Sequence, residues 1–375
     1  MRERGPAAAM TPPKEEEGAA RPQDEAAGAR EGEGLSALLP WIERTRDFHP
    51  GAAPVLPIGY FANVVPVGQH KGIAISTDGV GTKILVAQAV GRYDTVGIDC
   101  VAMNANDVLC VGATPLALVD YIAVEEPRTD LLDALAKGLH RGCELARINI
   151  PGGELAHVTE MLRGVRPGYA FDLVATCIGE VPIQRVISGD RVVAGDVLLG
   201  LESAGLHSNG FTLARRVLIE RGGLGYETYI PELGVSLGEE MLRPTRIYVR
   251  EVLDLLASGV EVRALAHITG GGLWNLVRTS AAVGFRIEWW PEPPAIFHLL
   301  QGLGKIADEE AFSVFNMGIG FCIVVPPSDA DRARAVLARA GATCHVLGHV
   351  IADPMRTIEF PARGLTGRAQ RFGRR

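Results

Sequence analysis

Ser76-Thr77-Asp78-Gly79-Val80-Gly81-Thr82-Lys83 is the densest cluster of chemistry in the chain. It follows the strand-like run Ile73–Ser76, and its two glycines let backbone approach a ligand closely. Asp78 and Lys83 set a carboxylate near an ammonium, a combination suited to a phosphate with its divalent cation. The spacing is not the G-x-x-x-x-G-K-[ST] of a P-loop. Read singly, the stretch is equally a glycine turn followed by a solvated lysine. A second run lies just beyond it: Gly97-Ile98-Asp99-Cys100-Val101-Ala102-Met103-Asn104-Ala105-Asn106-Asp107. Asp99, Asn106 and Asp107 put hard oxygen donors into an otherwise apolar stretch, which is unfavourable unless they are paired or metal-bound. Helix caps and satisfied core polar groups are the other reading. Gly152-Gly153-Glu154 adds a carboxylate after a glycine turn.

The second half carries three more glycine loops. Gly205-Leu206-His207-Ser208-Asn209-Gly210 runs into the amphipathic stretch Phe211–Arg221. A helix start with free amides, a hydroxyl and an imidazole is a natural anion site, and Ser208 or Asn209 as a plain N-cap is the alternative. Ala266-His267-Ile268-Thr269-Gly270-Gly271-Gly272 follows, with His267 and Thr269 at its mouth. Phe315-Asn316-Met317-Gly318-Ile319-Gly320 lacks the third glycine of a dinucleotide fingerprint. Taken together, the loops point to a phosphate-rich substrate.

Around these motifs, helical and strand rhythms alternate. Leu131, Leu132, Leu135, Leu139 and Cys143 predict a helix over about 129–147, and Ile247 to Leu256 predicts another. Ser328 and Asp331 read as an S-x-x-D capping box, opening a helix that ends at Gly341 between the strands Phe321–Val325 and Thr343–Val350. Leu116–Ala123, Leu173–Glu180 and Val197–Leu201 are further strands. The class is α/β, of the α+β type. With 375 residues, the chain exceeds what a single core usually serves, and the turn at Ser188-Gly189-Asp190 suggests a boundary near 185. Residues 1–34 hold no Val, Ile, Leu, Phe, Tyr or Trp and read as a disordered tail. Arg363, Arg368, Arg371, Arg374 and Arg375 mark 363–375 as a solvated basic tail. Domains of 35–185 and 186–362 lie between.

Composition narrows the function. Lys plus Arg number 37 against 44 Asp plus Glu, a net charge of −7, which argues against a chain-wide grip on nucleic acid or anionic lipid. No apolar run approaches the ~18 residues of a membrane span, and no secretory signal is visible, so a cytoplasmic protein is expected. Six cysteines without a C-x-x-C pair read as reduced core thiols.

The set TDGVGTK (77–83), GIDCVAMNANDVLCVGATPL (97–116), DYIAVE (120–125), GGE (152–154), GLHSNGFTLAR (205–215), LRPTRIYV (242–249), HITGGG (267–272) and FNMGIG (315–320) resembles the aminoimidazole ribonucleotide synthetase, or phosphoribosylformylglycinamidine cyclo-ligase, family. It runs in order from about Leu56 to Val350, and GLHSNG with PTRIYV separates that family from its superfamily. The resemblance implies a two-domain homodimer whose N-terminal sheets join into a shared barrel, with a C-terminal α/β domain. It implies ATP and Mg²⁺ as cofactors and a small phosphoribosyl amidine as substrate, closed to 5-aminoimidazole ribonucleotide in purine biosynthesis. Carried over, Asp78, Asp107 and Glu154 are metal candidates, Lys83 a phosphate holder, and Asp99 an orienter of metal or nucleotide. Gly79, Gly81, Thr82 and Asn106 fall on the nucleotide side. His207, Ser208, Asn209, His267, Thr269, Gly270 and Gly271 would face substrate, with His207 in proton transfer or phosphate binding. Two departures stand out. The family's opening Ser-Tyr-x-x-Ala-Gly-Val-Asp segment is not found, and its GGETAEM loop has Leu155 for a hydroxyl and His157 for an acid. Selenophosphate synthetase and thiamine monophosphate kinase are the alternatives within the superfamily. The former lacks support because no reactive Cys sits in a glycine-rich N-terminal loop and His267 stands where its D-V-T-G-x-G carboxylate belongs. A non-catalytic nucleotide-binding paralogue is the alternative outside enzymes, and the retained Asp78, Lys83, Asp107 and Glu154 argue against it.

Overall fold

The structure, a computed structural model, describes residues 22–374. Its first element, α1 (Pro22–Glu43), belongs to one compact unit, and residues 43–375 form a second. The expected tail therefore needs correction from residue 22 onward; residues 1–21 lie outside the described residues. Ala, Gln, Glu and Arg are good helix formers, so 22–34 take up helix without any large apolar residue.

Five strands make the first sheet of the larger unit: β1 (Asn63–Val67), β2 (Lys71–Gly79), β3 (Thr114–Val124), β4 (Asn149–His157) and β5 (Phe171–Pro182). Their order is β1-β2-β5-β3-β4, antiparallel except for β3 with β4. Period-two burial along β5 makes the two faces different. The inner face, with Ala74, Leu118, Leu173 and Cys177, is covered mainly by α3 (Val96–Leu109), against which α4 (Thr129–Ala146) and α2 (Lys83–Val90) pack. The apolar rhythm of 129–147 is thus a helix as expected, and α4 crosses from β3 to its parallel neighbour. Helices α3 and α4 meet backbone to backbone. A Cβ on Gly97 would strike Gly138 and Leu139, and one on Gly138 would strike the Asp94 carbonyl.

The second sheet begins with β6 (Val197–Glu202), after which a small hairpin pairs β7 (Tyr229–Ile230) with β8 (Val235–Ser236). It continues with β9 (Ala264–His267), β10 (Gly284–Ile287), β11 (Ile319–Val325), β12 (Cys344–Ile351), β13 (Ile358–Phe360), β14 (Leu365–Arg368) and β15 (Arg371–Arg374). The sheet order is β15-β14-β13-β10-β12-β6-β11-β9. Strand β11 is buried at all seven positions, as its continuous run of apolar residues requires. Helices α5 (Phe211–Arg215), extended by a π-helical turn over Arg216–Arg221, α6 (Leu237–Met241) and α7 (Val249–Ala257) belong to this half. All six cysteines are free, and all but Cys344 are buried.

Two further expectations are corrected here. The capping box at Ser328 does not form, because Pro327 starts a 3₁₀ turn and the helix begins only at Ala330. The basic tail is not solvated chain: its residues build β14 and β15. Leu365 is buried, the Phe372 ring lies 4.4 Å from that of Trp274, and Arg363 and Arg374 pair with Asp308 and Glu309. The acidic partners are more than fifty residues away in sequence, which is why no local charge balance was visible. Phe372→Ala should remove about 1–2 kcal/mol of stability and lower Tm by roughly 2–6 °C. A melting curve matching that of the parent would mean that the last two strands are merely laid on the sheet.

Candidate functional site

A groove of about 410 Å³ opens at the end of β2, where Tyr60, Phe61, Ser76, Asp78, Asp107 and Arg278 line it. Asp78 arrives as the penultimate residue of β2, Asp107 on the last turn of α3, and Arg278 on a 3₁₀ helix, Gly272–Arg278, that opens on the last glycine of the HITGGG loop. The groove therefore draws on both halves. Oδ1 of Asp78 accepts from the Gly79 amide at 2.8 Å, and Oδ1 of Asp107 lies 2.9 Å from Nδ1 of His267. Burial raises the pKa of Asp78, with Asp107 adding to the rise; Gly79, His267 and Arg278 pull it down. Two carboxylates held close enough to oppose each other's charge are a donor set for a hard cation, and Mg²⁺ typically takes one or two carboxylates plus phosphate oxygens. Arg278, whose guanidinium rests 4.9 Å from the Phe61 ring centroid, supplies a fixed positive charge beside them. Sequence reasoning missed Arg278. A single arginine six residues past a glycine loop gives no local signal, but its place just after HITGGG could have raised it.

His267 is fully buried at the end of β9, and its two neighbours assign its tautomer. Nδ1–H donates to the Asp107 carboxylate, and Nε2 accepts from Nδ2 of Asn106 at 3.4 Å. The imidazole thus holds Asp107 rather than facing a substrate.

Several other candidates sit elsewhere than expected. Glu154 is exposed on β4, in register with Tyr121, Val174 and Gly79 across three strand spacings, roughly 14 Å from the end of β2. Within one chain it cannot join Asp78 and Asp107, and no group of three such ligands exists among the described residues. Lys83 and Asp99 are both fully buried, outside the groove. Nζ of Lys83 lies 2.9 and 2.8 Å from the two Asp99 oxygens and donates to the carbonyls of His207 (2.9 Å) and Arg243 (2.8 Å). Burial lowers the Lys83 pKa and raises that of Asp99, against their mutual attraction. Three acceptors around Nζ call for all three hydrogens of an ammonium, so the pair is ionic. With no donor left, Lys83 is not available to a phosphate.

His207 is likewise interior, with φ +62°. Its Nε2 accepts from the Ala204 amide at 3.1 Å, its Nδ1 has no partner among the described residues, and burial drives its pKa well below the usual value. A neutral, enclosed imidazole does not fit a proton-transfer role. Ser208 donates to the Val80 carbonyl at 2.7 Å, and Asn106 is fully buried. The loop after β6 therefore closes on the 78–83 turn rather than cupping an anion. Thr82 bonds Thr212 at 3.1 Å across the same join. Asn209 lies beside Gly270, and Gly270 and Gly271 are exposed. A larger cavity of about 680 Å³ beneath α4, near Asp120 and Cys143, is lined by none of the expected residues.

Family models agree with this two-part architecture. The AIR synthase related protein N-terminal domain matches residues 59–181, and the corresponding C-terminal domain matches 193–360. The phosphoribosylformylglycinamidine cyclo-ligase of Methanothermobacter thermautotrophicus is 49% identical over 292 residues, covering 78% of this chain and 83% of that protein. The chain belongs to the phosphoribosylformylglycinamidine cyclo-ligase family. The Thermococcus kodakarensis member is 44% identical over 327 residues, 87% of this chain and 93% of its own. Among solved structures, the thiamine-monophosphate kinase of Stenotrophomonas maltophilia superposes with TM-score 0.56 at 20% identity, covering 84% of this chain and 93% of that one. The hydrogenase maturation protein HypE in complex with ATP gives 0.56 at 20%, covering 81% and 86%. At those identities the likeness is one of fold.

The raised pKa of Asp78 has a measurable sign. The folded protein holds this proton more tightly than the unfolded chain, so the group destabilises the fold as pH rises above the ordinary carboxylate range. Asp78→Asn should therefore melt higher than the parent at pH 7, with the gain vanishing below about pH 3–4, where both states are protonated. A lower Tm at pH 7 would mean that the carboxylate is held favourably in the groove.

Proposed function

We propose that this chain closes formylglycinamidine ribonucleotide to 5-aminoimidazole ribonucleotide, with ATP going to ADP and phosphate, as a step of purine biosynthesis. The observation that carries this is the 49% identity to a cyclo-ligase across both domains. An amide oxygen is a poor leaving group. The γ-phosphoryl group of ATP is transferred to it, the amidine nitrogen attacks the activated carbon, and the oxygen departs as phosphate. Ring closure is intramolecular, so holding the substrate bent supplies the advantage of an oriented reaction. The protein's part is positioning and charge neutralisation. Arg278, Asp78 and Asp107 line the groove together, so Arg278 would face the transferring group and the two carboxylates would hold Mg²⁺. When bound, Mg²⁺ supplies neutralisation of phosphate oxygens. His267 keeps Asp107 aimed into the groove through the 2.9 Å hydrogen bond. The low-identity likeness to kinases carries no substrate and does not favour the superfamily alternatives.

The outer face of the first sheet supports a homodimer. Ile75 and Ile178 pair in register beside Ala117, Thr77 and Thr176 beside Val119, and Val174 beside Tyr121. Ile75, Val119, Tyr121 and Ile178 are each about 40% exposed. An apolar sheet face of this kind is a natural surface for a second copy, closing the two sheets into a barrel. The step belongs to cytoplasmic metabolism, and no described helix is long and apolar enough to cross a membrane.

Two measurements test this reading. Asp107→Asn should lower turnover by roughly 100- to 1,000-fold, with an unchanged melting curve; ADP release that depends on formylglycinamidine ribonucleotide is the readout. Near-normal turnover at limiting Mg²⁺ would remove Asp107 from the site. Sedimentation at low micromolar concentration should give a species near twice 40.0 kDa, shifted to monomer by Val119→Asp. A parent that sediments as a monomer would rule out the shared barrel.

A further inference from the structure

We propose that Lys83, Asp99 and Asn106 form a polar clamp that holds the segment Arg243–Tyr248 and through it seats His267 on Asp107, making the three of them positioning residues. The segment is short, lies outside the sheets, and receives side-chain hydrogen bonds from α2 and α3 at four of its six residues. Lys83 donates to the Arg243 carbonyl at 2.8 Å. Oδ1 of Asp99 accepts from the Thr245 amide at 2.7 Å and its hydroxyl at 2.6 Å. Nδ2 of Asn106 donates to the Arg246 carbonyl at 2.9 Å, and its Oδ1 accepts from the Tyr248 amide at 2.9 Å. The three side chains thus give Arg243, Thr245, Arg246 and Tyr248 the partners that a strand neighbour would otherwise have supplied.

From Tyr248 the path is continuous. Its hydroxyl donates to the Glu202 carbonyl on β6 at 2.9 Å, and its ring packs 5.2 Å from that of Phe321 on β11. Phe321 pairs in register with His267 on β9. The same Asn106 amide that holds Arg246 lies 3.4 Å from Nε2 of His267, the nitrogen left to accept once Nδ1 serves Asp107. One asparagine therefore fixes the segment, the domain join and the tautomer of the imidazole that orients the groove carboxylate. Lys83, Asp99, Asn106, Thr245 and Tyr248 are all buried, so the clamp's geometry is set by the fold more than by solvent.

The kinetic arm of the test rests on the cyclo-ligase reading, whereas the exchange and NMR arms do not. In Asn106→Leu, amide hydrogen exchange at Tyr248 should speed up at least tenfold while the Phe321–Val325 amides stay at parent rates. The ¹⁵N resonances of His267 should lose the single-tautomer pattern, and kcat should fall about tenfold or more with KM for ATP within twofold. A role in stability alone would move the strand amides together with Tyr248 and leave the tautomer intact. Faster Tyr248 exchange with unchanged kcat and tautomer would overturn the positioning role, and lower kcat with parent exchange would overturn the clamp. If Asn106→Leu does not fold, Thr245→Val, which deletes one hydroxyl, decides by the same readouts at Thr245 and Tyr248: parent values for both exchange and kcat would refute the proposal. A parent enzyme inactive on formylglycinamidine ribonucleotide would refute the functional reading and leave the exchange result to judge the clamp.

Discussion

Lys83 and Asp99 are opposite charges with no access to water, and they meet where the two halves of the larger unit are joined. Such a pair holds only if every remaining hydrogen-bonding group around it is satisfied, because removing two ions from water costs several kcal/mol apiece. Here the other partners come from across the join: two backbone carbonyls for the ammonium, and an amide with its own hydroxyl for the carboxylate. The first half cannot satisfy its buried ion pair without the second. That dependence fixes how the 78–83 turn, the 205–210 loop and the 243–248 segment lie against each other, and hence where the groove opens.

The groove inherits its electrostatics from this arrangement. Two acidic side chains come from the first half and one arginine from the second. Held apart from the second half, the carboxylates would face each other with no counter-charge; docked against it, they gain Arg278 and the supporting hydrogen of His267. The site is thus an interdomain object, built from ends of elements and not from any single motif.

How much of this was legible depends on range. Strand β3 and helix α4 were readable because period-two and 3.6-residue patterns are local. The motifs carrying Asp78, Asp107 and His267 were likewise recognisable, and the structure brings those three together. What escaped was settled by partners distant in sequence. Lys83 looks like a phosphate ligand until His207 and Arg243, more than a hundred residues on, occupy its donors. Arg363 and Arg374 look solvated until Asp308 and Glu309 appear beside them. Glu154 is close to Asp120 in the chain's motif order, yet a sheet register carries it away from the groove.

Glycines inside two helices, α4 and the helix Ala295–Gly304, have a consequence for sequence drift. Gly138 and Gly302 both lie inside helices, where alanine is ordinarily the better residue by about 1 kcal/mol. At Gly302 an added carbon meets open space, so alanine there is an improvement. At Gly138 the same carbon runs into the Asp94 carbonyl and must push α3 away, and α3 carries Asp99, Asn106 and Asp107. One substitution is free to spread through a lineage and the other is barred, although neither touches the groove. In this chain the room to vary is set by how closely two backbones must pass, and distance from the chemistry is a poor guide to it.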